Sequence, residues 1–95
     1  MYARITPYKM KHGARDSATE LMHELKGQIM ALPGMQHFIN VTNEDGSGYV
    51  VAVVDSKETA EASADNVKAL WANFAEHLER MPTPSGYDVM ANWSN

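Results

Sequence analysis

The chain has 95 residues, with 12 acidic against 8 basic side chains, a formal charge of −4 and no cysteine. That length supports one hydrophobic core, so a single domain over residues 1–95 is expected. The acidic balance has the wrong sign for following a phosphate backbone or an anionic bilayer, so neither nucleic acid nor membrane is an expected partner, and without cysteine there is no disulfide framework, thiolate metal site or cysteine nucleophile.

The start, Met1-Tyr2-Ala3-Arg4-Ile5, lacks a basic segment followed by an apolar run, and no later stretch approaches the roughly 18 apolar residues of a membrane span, so a cytoplasmic protein is expected. Residues 2–6 are β-branched, aromatic and alternating, which predicts a first strand ended by Pro7. A helix start follows near Asp16 and Ser17, where Ser17 and Glu20 have the spacing of a capping box. Met22, Leu25, Ile29 and Leu32 then recur at helical intervals with Ala18 and Leu21 beside them, while Glu20, His23, Glu24 and Lys26 fall elsewhere on the wheel. Pro33-Gly34 stops this helix, because proline cannot continue the hydrogen-bond ladder and glycine suits a left-handed exit.

Residues 36–42 and 49–55 are β-rich runs joined by a polar turn, 43–48, with an Asp45-Gly46 step, which predicts a hairpin. The second run is apolar on both faces, so the sheet requires cover on both sides, more than two helices on one face provide. A second helix begins near Asp55 or Ser56, and its later part carries Val67, Leu70, Trp71, Phe74, Leu78 and Met81 at three- and four-residue intervals. The small polar residues around Ser63 can interrupt it by competing for backbone hydrogen bonds. Residues 82–86 read as a loop, and 87–93 alternate Tyr87, Val89, Ala91 and Trp93 against Asp88, Met90 and Asn92 as a last strand.

Strand, helix, hairpin, helix and strand make an α+β, ferredoxin-like β-α-β-β-α-β sandwich with an antiparallel sheet. With both sheet faces apolar, this order resembles the dimeric α/β-barrel superfamily over the whole chain. Tyr2-Ala3-Arg4-Ile5, Leu32-Pro33-Gly34-Met35, Gly48-Tyr49-Val50-Val51 and Ser63-Ala64 resemble its antibiotic biosynthesis monooxygenase-like branch. The resemblance implies a homodimer whose two sheets pack face to face, and a cofactor-independent monooxygenase of a small phenolic or quinol compound, with no cofactor and no metal. The alternative is a non-catalytic homodimeric domain that binds a small ligand or serves a stress response.

In the resembling proteins the pocket lies between helices and sheet, and an aromatic residue of the second helix borders it; here that residue is Trp71. Read from the residues alone, an aromatic at helical spacing is also plain core. Asn66, Asn73 and His77 flank the apolar stripe as one polar edge beside Trp71. Histidine changes charge near neutral pH and can take a substrate proton, so His77 and Trp71 are the catalytic candidates. Asn66 and Asn73 are candidate substrate contacts, joined from the sheet by His37, Tyr49 and Asn40. Alternation does not fix which sheet face meets the helices, so His37 enters the pocket or sits at the dimer interface.

Haem-degrading relatives have an asparagine on the first strand and a histidine ten residues after the tryptophan, where this chain has Met81, so haem degradation is not expected. Phenol-oxidising relatives can carry an asparagine one turn before the tryptophan; Val67 stands there, with Asn66 one position away. His12, His23, His37 and His77 lack metal-ligand spacing. RNA-recognition domains share the element order, but Ser47 replaces their basic residue and Val51 their second stacking aromatic.

Overall fold

The computed structural model describes residues 1–95. Along the chain lie β1 (Tyr2–Lys9), α1 (Arg15–Glu24), α2 (Lys26–Met30), β2 (Met35–Thr42), β3 (Ser47–Val54), α3 (Lys57–Ala62), α4 (Ala64–Ala72) and β4 (Ser85–Asp88). The strands form one antiparallel sheet in the order β2-β3-β1-β4, which is the expected ferredoxin-like, α+β arrangement. No helix is long and apolar enough to cross a membrane.

β1 runs through Pro7 instead of ending there. Met10 N donates to Gly46 O on the β3 side, while Lys9 O accepts from Glu79 N on the other, so by alternation the Pro7 nitrogen faces the β4 side. Pairing with β4 stops at Ile5–Ser85, and the missing N–H costs no ladder bond.

Both expected helices are divided. Leu25, with φ −90° and ψ 1°, separates α1 from α2, and Gly27 just beyond it weakens the helix. The capping box does not form: Ala14 occupies the N-cap, no side chain caps α1, and Ser17 lies within the helix. The break at Ser63, φ −96° and ψ 3°, falls where the small polar residues predict it. Ser56 caps α3, its Oγ accepting from Thr59 N at 3.1 Å.

α4 stops at Ala72, earlier than the apolar stripe predicts. Asn73 Nδ2 donates to the carbonyls of Ala69 and Leu70, so a side chain satisfies the last turn. After a short 3-10 turn at Ala75–His77 the chain extends. Lys11 N donates to His77 O, Glu79 N donates to Lys9 O, and Leu78 pairs with Met10. Leu78 is therefore buried as an extension of the sheet, and Met81 is exposed.

β4 begins and ends earlier than expected. It pairs with residues 2–5 of β1, and Val89 N donates to Met1 O where the neighbouring strand runs out. Met90 and Trp93 consequently lie outside the sheet, exposed. At the α2–β2 junction Gly34 has φ 72°, and a Cβ there would strike the side chains of Asp55 and Thr59, so glycine is required twice over.

Strand pairing separates the two sheet faces. Arg4, Thr6, Tyr8 and Met10 point to the helices together with Val50, Ala52 and Val54. An irregularity between Met35 and His37 shifts the phase of β2, bringing Phe38, Asn40 and Thr42 to the same side. The opposite face carries His37, Ile39, Val41, Tyr49 and Tyr87, and the last four are large apolar or aromatic side chains about half exposed.

Candidate functional site

Between the helices and the inner sheet face lies a cavity of about 260 Å³, lined mainly by apolar side chains. Its aromatic wall is a tilted series. Tyr8 and Trp71 have ring centroids 6.0 Å apart, and Trp71 and Phe74 have theirs 6.1 Å apart, distances at which edge and face contacts are favourable. The same rings pack against the buried cluster of Met10, Ala18 and Leu78, so one layer serves as both core and cavity wall.

Polar groups enter this lining from the sheet. Tyr8 Oη donates to Asn40 Oδ1 at 2.6 Å, and Asn40 Nδ2 points to Met22 Sδ at 3.1 Å, linking β1, β2 and α1 at the rim. Gly48 makes room for Tyr8: a Cβ there would strike the Tyr8 ring and the Val41 carbonyl. Thr6 and Arg4 continue inward along the same strand face. Arg4 is 8% exposed, and burial pushes its guanidinium below its ordinary pKa. Its Nη1 donates to the Ala60 carbonyl at 3.3 Å.

Among the sequence-predicted residues, Trp71 and Asn40 line the cavity and the others do not. His37 and Tyr49 lie on the opposite sheet face because the irregularity in β2 and simple alternation in β3 turn them outward. His77 is half-buried past the end of α4, where its backbone carbonyl receives Lys11 N. Asn66 and Asn73 border a separate open depression beside Gln28 and Pro33. The expected polar edge is thus divided, since Asn73 ends the helix before His77 can join it.

Arg4 and Tyr8 were missed as site residues. The signal was present: each is a polar-tipped side chain in phase with Thr6 on a strand whose neighbours are apolar. Ending that strand at Thr6 removed Tyr8 from consideration. The cavity lining contains no Asp, Glu or His, so no side chain there is a conventional general base. No group of three or more His, Asp or Glu side chains is arranged to hold a metal ion.

No family model matches the chain, and no curated protein matches it. Solved structures do. A protein of Nitrosomonas europaea bearing the name antibiotic biosynthesis monooxygenase superposes with a TM-score of 0.76 at 15% identity, over 96% of this chain and 100% of that one. A second Nitrosomonas europaea protein, of unknown function, gives 0.80 at 16% identity over 99% and 93%. An uncharacterized NIPSNAP domain protein of Burkholderia xenovorans gives 0.70 at 12% identity over the full length of both. At such identities the likeness is one of fold, and that fold is the one implied by the resemblance to antibiotic biosynthesis monooxygenase-like proteins.

Proposed function

We propose that this chain is a cofactor-independent monooxygenase of a small phenolic or quinol compound, with residues 1–95 forming one domain that works as a homodimer. The observation that carries the reading is the apolar cavity of about 260 Å³ walled by Tyr8, Trp71 and Phe74. The fold is also shared with structures that bear the monooxygenase name. An apolar cavity of roughly 150 Å³ accommodates benzene, so a substituted single ring fits here.

The chemistry asks little of the protein beyond shape and charge. A phenol that loses its proton becomes electron-rich enough to react with dioxygen. Oxygen adds at the ring carbon opposite the phenolate, and the hydroperoxide then loses water as its O–O bond breaks. One phenol and one dioxygen give one quinone and one water, with all four electrons supplied by the substrate. In this chain Trp71 and Tyr8 hold the ring, the apolar walls shield its faces, and the positive charge of Arg4 draws an anionic substrate into the cavity. With no carboxylate or imidazole in the lining, the phenol proton passes to water.

The homodimer reading is supported by Ile39, Val41, Tyr49 and Tyr87, large apolar and aromatic side chains half exposed on one sheet face that a second sheet would cover. His37 lies on that face, consistent with its interface reading. A second function, non-catalytic binding of a small aromatic ligand by the same dimer, is favoured by the missing general base. Oxygen uptake separates the two. A panel of phenols and quinols, presented to chelator-treated protein, is consumed with stoichiometric dioxygen in the first case and is bound without uptake in the second.

A further inference from the structure

Arg4 is the only charged side chain that is buried in this chain. Neither of the two ion pairs, Lys9–Asp45 and Lys57–Glu61, includes it, and its only hydrogen bond goes to the neutral carbonyl of Ala60. A guanidinium has five N–H donors in a planar fork, so Nε and Nη2 remain open along one edge. These atoms are not sealed in protein: the one fully enclosed side-chain polar atom without a partner is Ser63 Oγ. The open edge of Arg4, which lines the cavity, therefore meets accessible space there.

A charge taken out of water without a counter-charge is destabilising, and fastening α3 through Ala60 needs only one donor. The lining provides no carboxylate. A ligand bringing its own would complete a bidentate pair on the open edge, the arrangement for which a guanidinium is shaped. Arg4 and Tyr8 lie on the same face of β1, four residues and about 13 Å apart by strand rise, with Thr6 between them. Arg4, the buried cation, thus stands toward one end of the cavity and the aromatic wall toward the other; Arg15, the second cation of the lining, is exposed at the start of α1 and keeps its hydration.

We infer that the cavity takes an aromatic carboxylate, its carboxylate paired with Nε and Nη2 of Arg4 and its ring, set off by a short aliphatic spacer, against Trp71 and Tyr8. This rests on the proposed reading of the cavity as the substrate site and narrows the substrate to a hydroxylated aryl-alkanoic acid.

The test is isothermal titration of 3-(3-hydroxyphenyl)propanoate, whose ring carbon opposite the hydroxyl is free, and of its uncharged primary amide into wild-type protein, Arg4→Met and Arg4→Lys. The acid is expected to bind wild type roughly tenfold or more tightly than the amide. Arg4→Met should abolish that preference without lowering the melting temperature, and Arg4→Lys should restore part of it. Equal affinities in wild type, no binding of either compound, or a preference that survives in Arg4→Met would overturn the inference. Should Arg4→Met not fold, the acid–amide comparison in wild type decides. Acid that binds preferentially but consumes no oxygen overturns the monooxygenase reading alone; turnover of neutral phenols with no preference for the acid overturns this inference alone.

Discussion

Tyr8 and Asn40, 32 residues apart in sequence, meet through a 2.6 Å hydrogen bond in which the phenol donates to Oδ1. The Tyr8 hydroxyl also lies 3.2 Å from the Val41 carbonyl, and Asn40 Nδ2 turns to Met22. Tyr8→Phe keeps the ring wall and removes this link, so it should cost about 1 kcal/mol of stability, lowering the melting temperature by roughly 4–8 °C, with aromatic ligand affinity retained. Calorimetry of the variant with and without ligand checks both parts.

Trp71 contacts both Tyr8 and Phe74 and is half-buried. Trp71→Ala should destabilise by about 2 kcal/mol, less than the roughly 3–5 kcal/mol of a fully buried tryptophan, because part of its surface already meets solvent. Ligand affinity should fall by more than stability alone explains. Titration at a temperature where the variant is fully folded separates the two effects.

Asp45 closes the hairpin turn. Its Oδ1 accepts from Ser47 Oγ at 2.6 Å and Ser47 N at 2.9 Å, bonds that hold its carboxyl below the ordinary value of 3.8. A carboxyl lowered in the folded state favours folding above about pH 3.8, and the contribution is lost as pH falls through the lowered value. Urea midpoints of wild type and Asp45→Asn should therefore differ at neutral pH and converge in strong acid. A gap that persists there would assign the effect to the turn's geometry instead of its charge.

Ile39 is 54% exposed on the outer sheet face, with Val41 and Tyr49 beside it. Ile39→Glu should convert a sedimenting dimer to monomer at micromolar concentration while leaving the circular dichroism of the fold in place. A wild type that sediments as monomer would refute the homodimer.

The order of elements was legible because each depends on local signals: β-branched runs, the Asp45-Gly46 turn, the Pro33-Gly34 exit and the break at Ser63. Boundaries failed where long-range backbone bonding decided them. Leu78 satisfies the helical spacing, yet the segment around it is held by Lys9 at the end of β1 and Lys11 just beyond it, some 70 positions away, which no local pattern reports. Trp71 and Asn40 were found as cavity residues, whereas His37 and Tyr49 were not separable from them because both sheet faces read as apolar. The phase of Arg4 with Thr6 is readable in the sequence, but its burial is not, because that depends on α3 packing across it.

The most direct test of the cavity as an oxygenation site is turnover under isotopically labelled dioxygen, with the product examined by mass spectrometry for wild type and Trp71→Ala. The account predicts a quinone carrying one labelled oxygen, the second label in water, and a product yield that collapses in Trp71→Ala. A product without label, or equal yields from the two proteins, would contradict it.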